Sequence, residues 1–350
     1  MQSSVFARRR FGQHPTNLPR DELDTAMMHI QQAIDGRPFG RKPFVVLQGA
    51  PGSGKSWLLA QIRQTLQANG VRCAEIVQAS TLLDTPEAVL IDLLRWCLDD
   101  PTALVTGTTS AAEIVQELSN RLNHRLQQAD KQPLALFFED LDYWVGLSDK
   151  YLQRIYQQLW WVLLRHTQLP GLVICTSRES LPAARFSPGM KRKQQLIALQ
   201  PLGPGEIDHL TTGILQEPAS PLNDLASVDA REELQRLVKR YACGHPLIPD
   251  WLVWKLSVEP EAFQDHKRGR SLRELADEII GDRLDSAHVD TLIRLVRERP
   301  QGFADDDPIL EAGGPALVRL FIQVGLVKSV SGTYQVLPPL ACLYKEEANG

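Results

Sequence analysis

The stretch Gly49-Ala50-Pro51-Gly52-Ser53-Gly54-Lys55-Ser56 fits the pattern G-x-x-x-x-G-K-[ST] and restricts the fold more than any other part of the chain. Phe44-Val45-Val46-Leu47 precedes it, a short apolar and β-rich run of the kind that forms a buried strand. After it, the apolar residues of 57–66 recur at helical spacing. A small-residue loop between strand and helix lets consecutive backbone N–H groups curl round a polyphosphate without Cβ clashes. The helix N-terminus adds its positive dipole end. Lys55 would bridge the β- and γ-phosphates, and the Ser56 hydroxyl would ligate Mg²⁺. Gly49 through Ser56, with Trp57 behind them, are therefore the expected nucleotide-binding residues.

Composition narrows the partners. The chain has 350 residues, 43% hydrophobic and 23% charged, with a formal net charge of −4. That balance does not suit a strongly basic nucleic-acid binder. Its five cysteines show no C-x-x-C pair and no histidine at metal-ligand spacing, so they read as buried thiols in a reducing compartment. Arg8-Arg9-Arg10 has no apolar run behind it, and no stretch is long and apolar enough to span a membrane. These features predict a cytoplasmic protein with no membrane partner.

Further strands are expected at 71–77, 134–138, 171–175 and 196–199, and helices at 21–34, 57–66, 87–98, 111–128 and 151–165. Alternation of this kind predicts an α/β fold with a central parallel sheet. The pattern changes at Gln200-Pro201-Leu202-Gly203-Pro204-Gly205. Helices are expected beyond it at 206–215, 230–241, 245–256 and 272–280. Two more at 289–297 and 315–324 precede a hairpin, which suggests a winged helix. The expected domains are a tail at 1–18, a P-loop ATPase domain at 19–200, a helical lid at 201–283 and a winged helix at 284–350.

Leu134-Ala135-Leu136-Phe137-Phe138 ends in Glu139-Asp140-Leu141-Asp142, an apolar strand delivering acids. A phosphate loop needs such a partner: one carboxylate for the Mg²⁺ shell, a second to orient or deprotonate the attacking water. Glu139 suits the metal and Asp140 the base; Asp140 on the metal with Asp142 assisting is the alternative. Arg178, just past the tip of a neighbouring strand, would report the γ-phosphate.

Taken in order, these elements resemble a STAND-class P-loop ATPase, the group that includes NB-ARC, within the wider AAA+ NTPases. Pro19-Arg20-Asp21-Glu22-Leu23 resembles the entry segment that lies over the nucleotide base. The residues 49–56 and 138–142 resemble Walker A and Walker B, and Ile174-Cys175-Thr176-Ser177-Arg178 the strand ending in T-[ST]-R. Leu199-Gln200-Pro201-Leu202 opens the lid in the same manner. Gly244-His245-Pro246-Leu247-Ile248 resembles G-L-P-L-A, which would set Pro246 on the base. Arg185 stands where oligomeric relatives place an arginine finger. The group often carries a phosphate-sensing histidine in its winged helix; Leu337-Pro338-Pro339 has none.

The resemblance implies a slow ATPase acting as a switch, with ATP, ADP and Mg²⁺ as ligands, self-association, and a partner protein supplying sensor or effector. Signalling or defence in a prokaryote is the use it suggests. A second reading is a DNA-binding AAA-type ATPase resembling origin-recognition or transposition regulators. DNA is the less favoured partner, because 315–324 leaves mainly Arg319 and Gln323, with Lys328 on the wing, for contact. A third is a nucleotide-stabilised scaffold that never turns over.

Overall fold

The computed structural model describes residues 21–35, 42, 44–49, 53–78, 91, 110, 112–117, 120, 134–141, 171–177, 194–216, 228–280, 284–323, 326–330 and 332–347. The chain divides into two units. One comprises 20–48 and 55–199; the other comprises 200–350 together with 1–19 and 49–54.

The first unit is built on a five-stranded parallel sheet. Its strands are β1 (Phe44–Gln48), β2 (Arg72–Gln78), β3 (Leu134–Glu139), β4 (Gly171–Ser177) and β5 (Gln194–Ala198), in spatial order β2-β3-β4-β1-β5. Helix α1 (Asp21–Asp35) precedes β1, and α2 (Lys55–Ala68) follows it. Both carry an apolar stripe: Ala26, Ile30 and Ala33 on α1, and Leu58, Leu59, Ile62 and Leu66 on α2 are buried. They pack with Val45, Leu47, Ala135, Phe137, Leu172, Ile174 and Ile197 in one core. These strand residues form one alternate set, so α1 and α2 cover the same sheet face. The other set, which includes Phe44, Val46, Leu136, Phe138, Val173 and Cys175, is buried too. Burial on both faces is what continuous apolar strands require.

The α/β fold with a parallel sheet agrees with expectation, and the departures have physical causes. The fifth strand starts at Gln194, two residues before the apolar run, because pairing of Phe44 with Gln194 and of Gln48 with Ala198 sets its ends. It lies at the sheet edge, with Leu196 exposed, so its apolar content is a poor guide to its limits. Of the expected helix at 111–128, the described residues 112–117 and 120 are helical, and the rest lie outside the described residues. Ser110 caps them reciprocally with Glu113: its N–H donates to Oε2 at 2.8 Å, and the Glu113 N–H donates back to Oγ at 3.4 Å. The expected tail and the helices at 87–98 and 151–165 lie outside the described residues, apart from residue 91.

The second unit opens with four helices: α3 (Pro204–Gln216), α4 (Val228–Tyr241), α5 (Leu247–Val258) and α6 (Asp265–Ile280). Tyr241 and Trp251 meet Phe263, each with ring centroids 6.4 Å apart, in a core shared by α4 and α5. Then come α7 (Ser286–Glu298), a 3₁₀ helix (Pro308–Gly313), α8 (Gly314–Gln323) and an antiparallel hairpin of β6 (Val327–Val330) and β7 (Thr333–Val336). An isolated antiparallel bridge joins Phe303 to Tyr334. A last helix, α9 (Pro338–Glu347), packs against α6, α7 and α4.

The sequence reading places no element after the hairpin, yet α9 opens on Pro338-Pro339. Proline in the first turn of a helix costs nothing there, because those N–H groups have no intrahelical acceptor. The thiols are not uniformly buried either: Cys175 is, Cys73 and Cys342 are partly exposed, and Cys243 is exposed in the α4–α5 turn. Cys97 lies outside the described residues. Among the described residues, no helix is long and apolar enough to cross a membrane.

Candidate nucleotide site

Three strand tips define the site, and their register places them side by side. Gln48 at the end of β1 pairs with Ser177 at the end of β4. On the other flank of β4, Phe138 pairs with Cys175, two residues before the β4 tip. The phosphate loop therefore leaves the sheet beside the tip that precedes Arg178, with the acids of β3 just beyond. Ligands of open α/β sheets bind at such carboxyl ends.

At the loop's exit Gly54 has φ +88, in the left-handed region that a side chain disfavours. Lys55 follows as the first residue of α2 and is 6% exposed. Ser53, Ser56 and Trp57 are half-buried, and Gly49 continues from β1. Ala50, Pro51 and Gly52 lie outside the described residues.

The chain turns sharply after β3. Asp140 has φ +50, a left-handed conformation that aspartate tolerates better than most residues. Thr176 holds that turn from β4. Its Oγ1 accepts from the Asp140 N–H at 2.8 Å, and its carbonyl oxygen accepts from the Leu141 N–H at 2.9 Å. Thr176 is fully buried, so this clasp is shielded from water. Glu139 shares its alternation with Ala135 and Phe137, so it belongs to the sheet face covered by α1 and α2. Lys55 opens α2 on that same face. The fold thus sets Thr176 against Asp140 and puts Glu139 on the sheet face that α2 covers.

Sequence reasoning used Thr176 only as part of a motif and missed its positioning role. No periodicity signals it; the clue is a buried hydroxyl residue at the end of an apolar strand. Arg20, Asp142, Arg178 and Arg185 lie outside the described residues. Pro246 belongs to the second unit, where it caps the N-terminus of α5 with φ −67 and ψ −22. The donors that Ser56 and Glu139 supply are hard oxygens. That set fits Mg²⁺, which takes one or two protein oxygens and completes its shell with phosphate and water.

Residues 22–175 match the AAA ATPase domain family. This part of the chain resembles a P-loop AAA+ ATPase domain. ATP hydrolysis is the activity that goes with it. Among solved structures, the whole chain resembles the Walker-type ATPase of Pyrococcus abyssi. That likeness has a TM-score of 0.57 at 16% identity, over 94% of this chain and 96% of that one. It also resembles Cdc6p from Pyrobaculum aerophilum, with a TM-score of 0.49 at 14% identity over 100% and 98% of the two chains. The Aeropyrum pernix Orc1 protein in complex with DNA gives 0.49 at 14% identity, over 95% of each chain. At these identities the likenesses speak to fold alone. No curated protein matches the chain. The matched region runs from the first turn of α1 to Cys175 on β4, so it contains the phosphate loop and the β3 acids.

Proposed function

We propose that the chain is an ATP-binding, slowly hydrolysing switch of the STAND type, whose nucleotide state sets a conformation or assembly that signals to a partner protein. The observation that supports this best is the Thr176 clasp, which holds the turn that carries the β3 acids. In this reading Lys55 neutralises the β- and γ-phosphoryl oxygens, and backbone N–H groups of 49–56 cradle them. Ser56 and Glu139 hold Mg²⁺, and Asp140 orients or deprotonates the attacking water. Asp140 on the metal with Asp142 assisting is the competing assignment. Mg²⁺, when bound, supplies charge neutralisation at the phosphoryl oxygens. Arg178 senses the γ-phosphate, Arg20 and Pro246 line the base, and Arg185 serves a neighbouring copy as arginine finger. ATP shifts such a switch only by its differential affinity for the two states, so groups that touch the γ-phosphate carry the signal.

A second reading, a DNA-binding AAA-type ATPase, rests on the segment after α7. A 3₁₀ helix, α8 and a hairpin tied back through the Phe303–Tyr334 bridge have the order of a winged helix. Arg319 on α8 is exposed there. Base reading would use α8, with phosphate contacts that weaken as salt rises.

Size-exclusion chromatography with light scattering separates the two. Wild type and Lys55→Ala are run with ADP, with ATP and Mg²⁺, and with a short DNA duplex. The switch reading expects ATP alone to enlarge wild type while Lys55→Ala stays small. A shift produced only by duplex, lost on charge reversal at Arg319, would transfer the lead to DNA binding.

A further inference from the structure

The cysteines show no spacing motif, yet the fold joins two of them. Cys243 stands in the turn between α4 and α5, exposed, with φ +45. Cys342 lies on α9, partly exposed, and its Sγ reaches the carbonyl oxygen of Arg240 in the last turn of α4 at 3.6 Å. Its neighbours Leu340, Leu343 and Tyr344 are buried to 1% exposure or less and seat α9 there. The two thiols are themselves in hydrogen-bonding contact.

That contact pushes the Cys243 thiol far above the ordinary range, with burial and the charge of a Cys342 thiolate adding to it. Cys73, by contrast, is pushed up to about 11, chiefly by burial, although Arg63 opposes the shift. Its thiol stays protonated and inert at neutral pH.

We propose that Cys243 and Cys342 form a reversible intramolecular disulfide that staples the C-terminal helix α9 to the α4–α5 turn. The oxidant is a low-molecular-weight disulfide. The Cys342 thiolate attacks one of its sulfurs, forming a mixed disulfide and expelling one thiolate. That thiolate takes the Cys243 proton, and the Cys243 sulfur then attacks Cys342 Sγ, expelling the second thiolate, which takes from solvent the proton that Cys342 gave up. Two protein thiols are oxidised and one disulfide is reduced to two thiols. Closure brings the sulfurs from contact to about 2.0 Å. Cys243 can make that movement because it sits in an exposed turn and not inside a helix. The opposite side of the same turn is already fixed, since the Leu202 N–H donates to the Gly244 carbonyl at 2.8 Å. The staple would therefore hold α9, the turn and the start of the second unit as one body. A reducing cell would keep it open, and oxidative stress would close it.

Full-length protein is incubated with oxidised glutathione, and its peptides are mapped by mass spectrometry under non-reducing conditions. The expected product is a monomer with a Cys243–Cys342 cross-linked peptide, reversed by dithiothreitol, melting above the reduced form. C243S should stop at the mixed disulfide on Cys342, and C342S should lose both the cross-link and the gain in melting temperature. The proposal is overturned if both thiols remain free, if the linkage joins two chains, or if wild type accumulates the mixed disulfide without closing.

Discussion

Thr176 makes a specific demand at the residue scale. Its hydroxyl is the acceptor for the Asp140 N–H inside a buried clasp. Thr176→Val keeps the shape but strands that donor, which costs about 1–3 kcal/mol. Thr176→Ser keeps the acceptor and should stay near wild type. We expect the valine variant to melt lower and to lose ATPase activity, with serine rescuing both; equal loss in the two variants would remove the clasp from the mechanism. The acids divide by a different readout. Asp140→Asn should lower turnover by about 10²–10⁴-fold while ATP still binds, as for loss of a general base. Glu139→Gln should weaken Mg²⁺-dependent ATP binding first. Fluorescent-nucleotide titration with and without Mg²⁺, beside single-turnover phosphate release, assigns the roles, and an exchanged pattern would put Asp140 on the metal. The phosphate loop and the acids were legible because their chemistry demands particular residue types at fixed spacing. Thr176 was not, since its partner is 36 positions away in the chain and only the sheet register brings them together.

Among elements, the α4–α5 turn is the most constrained in the second unit. Gly244 has φ +78, and a Cβ there would lie 2.6 Å from the Pro201 Cβ and 2.7 Å from the Leu202 carbonyl oxygen. Gly244→Ala combines overpacking with left-handed strain, a loss on the order of 2–4 kcal/mol. Gly205→Ala, in the first turn of α3 with nothing within 4 Å, should be neutral or gain about 0.5–1 kcal/mol. Chemical denaturation of the two variants checks the contrast, and similar midpoints would mean that the turn relaxes freely. Sequence periodicity found the existence of α3 through α8 because each buries an apolar stripe, but not their limits. Helix α6 begins at Asp265, seven residues before the expected start, because Asp265 to Ser271 contain no apolar side chain from which a stripe could be read. The Phe303–Tyr334 bridge was invisible for another reason: a single paired residue has no period to detect.

For the molecule as a whole, the second unit should set the response to acid. Lys255 is 7% exposed and ties α5 to α6: its Nζ donates to Glu274 Oε2 at 2.7 Å and pairs with Glu259 Oε2 at 2.8 Å. Lys267 reaches Glu259 at 3.1 Å, Arg236 pairs with Glu233 at 2.6 Å, and Arg299 with Asp307 at 2.7 Å. The hydrogen bonds from Lys255 and Lys267 hold the Glu259 carboxyl down at about 2. Arg236 likewise lowers Glu233 through its hydrogen bond. For Glu274, burial pulls upward, but the hydrogen bonds from Lys255 and Arg270 prevail and the carboxyl is lowered. A carboxylate depressed on folding stabilises the protein above its unfolded pKa, about 4.3 for glutamate, and that stability fades as pH falls through the folded value. The melting temperature should therefore be level above about pH 5 and fall progressively between about pH 4 and pH 2. Lys255 runs the other way. Burial disfavours its charge, yet Glu259 and Glu274 hold its pKa up, so its contribution is complete at neutral pH and lost only in strong alkali. Lys255→Met removes the shared cation from two of these carboxylates. Circular-dichroism melts from pH 7 to pH 2 should then show a lower melting temperature at neutrality and a shallower acid decline than wild type. An acid limb of unchanged slope would place the sensitivity outside the α5–α6 network, in pairs such as Arg236–Glu233 and Arg299–Asp307.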